Sequence, residues 1–467
     1  MKIHPLTPSS DDSLATPGDF AAFRGIRAPG LHRGRWQWWA PVLALGLLAS
    51  SGPMLASVLS AGAAKVDITP PPSLRNWAKQ NLPYDKVVSP LNVRALVVSD
   101  GTTKLALIQW DLVYARSGAV AKVRQLISAE TGIPPDHILV NASHTHSGPD
   151  SPIINERLIK EDIEAELRAQ QDPNYQPWAD RLFLASVRAA KEADTALQPV
   201  TLAIGRATVP EWQYNRRPRR PDGMVENIFV PVDPNTMPDG LRFGPTDPTL
   251  TVLVFRSLQG QPVATLINYP CHPVSVYFES NAVSADWPGF AAAEIEARLG
   301  GCAIVLQGCA GDLVPSHRGI EPARQMAALL GLRTAKAADR TLRIEVGQLQ
   351  ANSAEVKLPL TAEKRAELGR ALLPSEVQVF VLGSVAVVAL PGEPLIEVAR
   401  AIQQRSPFPH TIVLGYSNGT GVYYVGLPGE KARGGYEVNS FSGLGTDECG
   451  SIFVDTAVRL LHEITLR

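Results

Sequence analysis

The chain has 467 residues, 45% of them hydrophobic and 19% charged, with a formal net charge of −1. This is ordinary globular composition with enough apolar material for a sizeable core, and the 39 prolines and 37 glycines are spread too evenly for low-complexity disorder. A near-zero net charge gives no basic face on which to argue nucleic-acid binding.

Residues 1–37 are polar and turn basic towards their end, at Arg24, Arg27, Arg33 and Arg35. From Trp38 to Ala64 no charge appears. A run of this length can enter a bilayer, and the small residues near Ala61–Ala64 resemble a signal-peptidase site. Gly52-Pro53 interrupts the run, which favours a cleaved signal over a stable span, with a buried helix of the fold as the alternative. The expected division is therefore 1–60, a polar region plus signal peptide or membrane anchor, and 61–467, one domain. Export to the periplasm or medium follows from that division, with membrane anchoring and association through the N-terminal segment if it is retained.

"LNVRALVVSDGTTKLALIQWDLV" reads as two strands around an Asp100-Gly101 turn. "AVAKVRQLISAETG" has helical spacing and stops at Gly132. "HILVNASHTHSGPD" is a short buried strand running into a loop, so the order is strand, helix, strand. Residues 153–195 are charged and helical, and 210–248 are Pro- and Arg-rich without a period, as binding loops often are. Strands resume at "TLTVLVFRS" and "PVATLINYPCHPVSV", followed by a helix at "DWPGFAAAEIEARLGG" and a buried strand at "CAIVLQGCAGDLVP". A helix over 321–340, a hairpin and helix in "EVQVFVLGSVAVVALPGEPLIEVARAIQQRS", a strand from "TIVLGY" and a closing helix over 451–466 complete the chain. The expected fold class is α/β: a single large domain with mixed β-sheets flanked by helices and a metal site at strand ends. The four cysteines form neither a CxxC zinc pair nor a disulfide framework. Buried thiols are expected, with a Cys302–Cys309 bridge as the alternative.

Four strand ends carry polar residues: His144 and His146, His272, Asp312, and Glu393. Imidazoles and a carboxylate arriving from separate strands suit a catalytic zinc ion, which takes N and O ligands and keeps one position open. Each residue also has a plainer reading. His272 before Pro273 suits a turn or core histidine, and Glu393 before Pro394 suits a helix cap. Asp111 is a candidate for orienting a zinc-bound imidazole, and Asp286 for capping its helix.

"AKVDITPP", "NASHTHSGPD", "NYPCHPVSV", "SADWPG", "QGCAGD", "LPGEP" and "YVGLPGEKARGGYEV" together resemble the N-terminal catalytic domain of the neutral/alkaline non-lysosomal ceramidase family, over roughly residues 61–460. The separate C-terminal immunoglobulin-like domain of the true ceramidases is not expected here. The resemblance implies one Zn2+ as cofactor, hydrolysis of a linear amide bond, and a lipid-like or small-molecule substrate. It implies zinc ligands at His144, His272 and Glu393, with Tyr424 approaching the metal. His146 would face the substrate, steadying an oxyanion or relaying a proton. Tyr436 would hydrogen-bond the scissile carbonyl, and Arg216 would contact substrate, although Arg217 and Arg219 fit the same motif.

One position departs from the family. Where true ceramidases carry a serine beyond the Gly-Asp turn, this chain reads "GDLVPSHRG", with Val314 there and Ser316 two residues on. Valine can neither attack nor donate, so the expected mechanism keeps the zinc and drops the serine. Zinc lowers the pKa of water toward ~7, with Asp312 or His146 as the base. The alternatives are a non-catalytic lipid- or glycan-binding relative, and a zinc esterase.

Overall fold

The computed structural model describes residues 58–79, 82–154, 164, 171–229, 240–439 and 441–466. The segment expected to direct export, residues 1–60, lies outside the described residues as far as position 57. Among the described residues no helix is long and apolar enough to cross a membrane.

β1 (Ser60–Asp67) opens the described chain and a short pair, β2 (Arg75–Asn76) and β3 (Leu82–Pro83), comes after it. β1 pairs antiparallel along its whole length with β4 (Asn92–Ser99). The small residues that suggested a peptidase site are thus part of a sheet. Ala61 and Ala63 face one core, Ala64 and Val66 another, and a cut at Ala61–Ala64 would remove half of a paired strand. Any processing site compatible with this fold lies before Ser60.

The Asp100 turn joins β4 to β5 (Lys104–Trp110), its carboxylate accepting the N–H groups of Thr102 and Thr103. α1 (Ser117–Thr131) ends where Gly132 turns left-handed. β6 (Ile138–Ala142) then runs parallel to β5. "LALIQW" and "ILVNA" are nearly continuous apolar runs because both faces of this sheet are covered. α2 (Tyr175–Thr195) packs on β1 and β4. The first part of the expected 153–195 helical region lies largely outside the described residues.

β7 (Gln198–Thr208), β8 (Gln213–Asn215), β9 (Thr249–Ser257) and β10 (Pro262–Asn268) come next, then the one-turn α3 (Val276–Glu279) and α4 (Asp286–Leu299). β11 (Cys302–Leu306), β12 (Leu313–Pro315), α5 (Ile320–Ala338) and β13 (Leu342–Ile344) continue the chain. The long sheet has the order β11-β10-β9-β7-β1-β4-β5-β6, with β13 beside β7. A second sheet, β14-β15-β16-β18, comes from β14 (Leu349–Pro359), β15 (Leu372–Leu382), β16 (Val385–Ala389) and β18 (His410–Leu414), with α6 (Ala362–Leu368) between its first two strands.

The two sheets enclose a common core that includes Leu96, Leu107 and Ile304 from one and Phe380, Val387 and Ile412 from the other. Helices cover the outer faces: α2, α4 and α5 on the long sheet, and the final helix on β14 and β15. The remaining elements are β17 (Glu393–Pro394), α7 (Ile396–Arg405), β19 (Tyr424–Val425), α8 (Glu430–Arg433) and α9 (Glu448–Thr465). This is the expected mixed α/β domain with helices flanking sheets. All four cysteines are free thiols.

Candidate metal centre

His144 lies just past the end of β6, where Ser143 and His144 still donate to the Trp110 and Leu112 carbonyls. The strand then breaks. His144 adopts φ 69°, a left-handed conformation unusual for a residue with a Cβ. Thr145 turns away and its hydroxyl donates to the Ser284 carbonyl at 2.7 Å. The imidazoles of His144 and His146 come together, Nε2 to Nε2, at 3.3 Å. They meet through this kink and not through simple strand alternation.

His272 lies beyond β10 and donates its backbone N–H to Leu313. Glu393 stands opposite Tyr424 in the parallel β17–β19 pair and donates its N–H to Tyr423. Gly311 allows the turn bearing Asp312 to rest on this strand, since a Cβ there would lie 2.5 Å from the Glu393 carbonyl.

The Nε2 atoms of His144 and His272 are 3.2 Å apart, and Glu393 Oε2 lies 3.2 Å from the first and 3.1 Å from the second. All three residues are buried. The Nδ1 of His144 meets the Val113 carbonyl at 2.7 Å and that of His272 the Ala310 carbonyl at 2.5 Å. A carbonyl only accepts, so Nδ1 carries the proton in both rings and each Nε2 presents a lone pair. Glu393 Oε2 is buried without a hydrogen-bond donor, while Oε1 accepts from the Tyr114 hydroxyl at 2.5 Å. Two imidazole lone pairs and an unpartnered carboxylate oxygen thus converge, a donor set suited to a cation. Ligand bonds of ~2.0–2.1 Å in a tetrahedron give edges of roughly 3.3 Å, and the observed spacings match.

His144, His146 and His272 also form by themselves a group able to hold a metal ion. His146 differs in being half-buried, with its ring 5.5 Å from that of Tyr277. Burial lowers His272 to about 4, with Arg216 adding to the effect. Burial, then His144 and His272, also keep His146 well below its ordinary value.

Beside these four lies an aromatic wall. Tyr424 and Tyr436 meet edge to face at 5.7 Å, and Phe229 packs on Tyr436 at 5.4 Å. Arg216 lies behind them, donating to the Tyr424 hydroxyl (3.0 Å), the Gly311 carbonyl (2.8 Å) and Glu437 (2.8 Å). This distinguishes the three arginines. Arg217 turns to Glu437, Glu430 and the Gly434 carbonyl, and Arg219 to Glu430, leaving Arg216 as the one against the tyrosines.

Asp312 is committed elsewhere. Its carboxylate accepts the Ile396 N–H at 2.9 Å and the Asn215 amide at 2.6 Å, tying its turn to the start of α7, and burial raises it to about 6. Val314 is buried in β12 opposite Tyr214, and the Ser316 N–H donates to the Trp212 carbonyl.

Two expectations are corrected. Asp111 does not orient an imidazole: it pairs with Arg94 at 2.6 Å and accepts from Asn92 and Gln109, while backbone carbonyls orient the histidines. Asp286 does not cap α4 from outside. It is the helix's first residue at φ 54°, and its oxygens take the N–H groups of Trp287 and Val276. Sequence reasoning missed Tyr114, Tyr416 (stacked on His144 at 4.2 Å), Tyr277 and Glu437. The one local hint was the density of aromatics around "GYSNGTGVYYVG", where Tyr416, Asn418 and Tyr423 all take positive φ.

The model of the neutral/alkaline non-lysosomal ceramidase N-terminal domain matches residues 60–307. The fold is similar to the crystal structure of neutral ceramidase from Pseudomonas aeruginosa, with TM-score 0.67 and 19% identity over 87% of this chain and 75% of that one. It is similar too to a ceramidase complexed with C2, with TM-score 0.68 and 18% identity over 87% and 76%.

Proposed function

This chain belongs to the neutral/alkaline non-lysosomal ceramidase family, and on that footing we propose that it is an exported zinc-dependent amidohydrolase. Its reaction is cleavage of an N-acyl bond in a lipid-like or small amphiphilic substrate. The observation carrying this reading is the convergence of the His144 and His272 Nε2 atoms on a buried Glu393 oxygen that has no donor. These three would hold the ion. Zinc bound there supplies Lewis acidity, acidifying water and polarising a carbonyl.

The protein's own groups supply the remainder. His146 faces the open side as a neutral imidazole, suited to taking a proton from the attacking water and passing it to the departing amine. It is a better base than Asp312, whose oxygens already accept two hydrogen bonds. Tyr436 donates to the scissile carbonyl as negative charge develops on its oxygen, and Arg216 holds Tyr424 in place beside it. No serine is required, which agrees with Val314. The same valine is what favours a non-catalytic lipid- or glycan-binding relative as the second reading.

Metal analysis of purified protein, coupled to a hydrolysis screen of N-acyl amides and matched esters, separates these readings. Stoichiometric zinc is expected, with amide turnover that falls at least about a hundredfold in His144→Ala. Zinc-free protein, or turnover untouched by that substitution, would sink the proposal. Turnover of the esters alone would replace amidase by esterase.

A further inference from the structure

The turn that lacks the family's hydroxyl carries a cation four residues later. Arg318 lies past β12, and its side chain bridges the segments that carry the two sides of the site. On one side its guanidinium lies 5.9 Å from the Phe278 ring, next to Tyr277, whose own ring packs on His146. On the other it interacts electrostatically with Tyr214, two residues before Arg216, and the Tyr214 hydroxyl donates to the carbonyl of Ile228 beside Phe229. Arg318 is half-buried, and its Nε is buried without a partner.

Every other arginine near the site is neutralised. Arg216 and Arg217 share Glu437, and Arg217 and Arg219 share Glu430. Among the described residues Arg318 forms no ion pair with a carboxylate. The acids near its loop are already engaged: Glu279 accepts the Ile320 N–H, and Asp286 accepts from Val276 and Trp287. Arg216 and Arg318 also repel one another, while Asp286 feels the charge of Arg318 without reaching it as an ion pair. A second cation stands on the Tyr277 side, where Lys79 Nζ lies 4.5 Å over that ring. An arginine beside an aromatic ring, with a desolvated N–H to spare, suits an oxyanion, carboxylate or phosphate, that it can grip through its fork.

We propose that Arg318 forms an anion subsite at this centre, and that the substrate is an N-acyl compound bearing a carboxylate or phosphate on its amine-derived part. The neutral amino alcohol of a ceramide offers no such group. The inference rests on the amidohydrolase reading for the substrate's N-acyl part, but the subsite itself can be tested apart from it.

The test uses ligands without an amide. Octyloxyacetate, octyl phosphate and neutral 2-(octyloxy)ethanol are titrated calorimetrically into the full chain and into Arg318→Gln and Arg318→Lys, each variant first checked for an unchanged circular dichroism spectrum. Wild type should bind at least one anionic ligand about tenfold or more tighter than the neutral ether. Arg318→Gln should erase that preference and leave the neutral ether within about twofold, while Arg318→Lys keeps part of it. The tighter of the two anions identifies the headgroup chemistry. Equal binding of charged and neutral ligands by wild type, or an undiminished preference in Arg318→Gln, overturns the subsite. Selective anion binding without turnover of N-lauroylglycine or its phosphate counterpart would uphold the subsite and overturn the amidohydrolase reading.

Discussion

At the scale of single residues, the centre is built from lone pairs that ordinary hydrogen bonding leaves unanswered. Tyr114 is the least expected member, because its hydroxyl fixes the Glu393 oxygen turned away from the histidines. Groups that orient a metal ligand typically contribute 10- to 100-fold in affinity. Tyr114→Phe should therefore weaken zinc binding by about that factor in competition with a chromogenic chelator. Unchanged affinity would show that the carboxylate needs no such support. The donor set was legible in the sequence because His144, His272 and Glu393 each sit at the end of a recognisable strand. Tyr114 was not, since 279 residues separate it from its partner and nothing about "LVYAR" distinguishes it from a packed strand tyrosine. The left-handed backbone at His144 was equally hidden, because it depends on tertiary hydrogen bonds, from the His144 N–H to the Leu112 carbonyl and from the Thr145 hydroxyl to the Ser284 carbonyl.

At the scale of elements, α4 begins on a buried acid. Asp286 is raised by burial to about 6, above its ordinary 3.8, despite two backbone N–H donors. A carboxyl whose folded-state pKa is raised favours folding while protonated. Its contribution is full below the unfolded value of 3.8 and is lost as pH rises through about 6. The difference corresponds to at most about 3 kcal/mol. Asp286→Asn, which cannot ionise, should therefore gain stability relative to wild type between pH 4 and 7, read as the difference of two melting-temperature profiles. Parallel profiles would show that the acid does not titrate in this window. Elements with a clear boundary or spacing were the legible ones: β4 and β5 around the Asp100-Gly101 turn, α1 by its helical spacing, and β9 at "TLTVLVFRS". β14 escaped notice because it is a half-exposed edge strand whose "LQANSAEVKLP" carries little apolar signal, yet it pairs with β15 along its entire length.

At the scale of the whole molecule, β1 is the joint between the two halves of the long sheet, β4–β6 on one side and β7 with β9–β11 on the other. It is matched with β4 over eight residue pairs but meets β7 at only two, Ser60↔Pro199 and Ala61↔Gln198. A chain beginning at Leu55 should keep the melting temperature and zinc content of the full protein. One beginning at Val66 should fail to give a cooperative transition, because the joint is gone. An unchanged melting curve for the shorter chain would place the processing limit further along than the sheet suggests.

The narrowness of that joint has a consequence for assembly. His144 follows the β4–β6 part of the long sheet, His272 the β9–β11 part, and Glu393 belongs to the separate β17–β19 pair. The three groups that would hold the ion are therefore contributed by regions that the chain completes at different times, the last of them 249 residues after the first. A divalent ion held by all three would act as a rivet: it could not be set until every plate was in position, and it would keep them aligned afterwards. Long-range closure of this kind makes folding slow and leaves partly assembled species with exposed strand edges. Zinc uptake during refolding should accordingly track the slowest phase. Chelation should turn one sharp calorimetric transition into a broader one as the plates come apart separately.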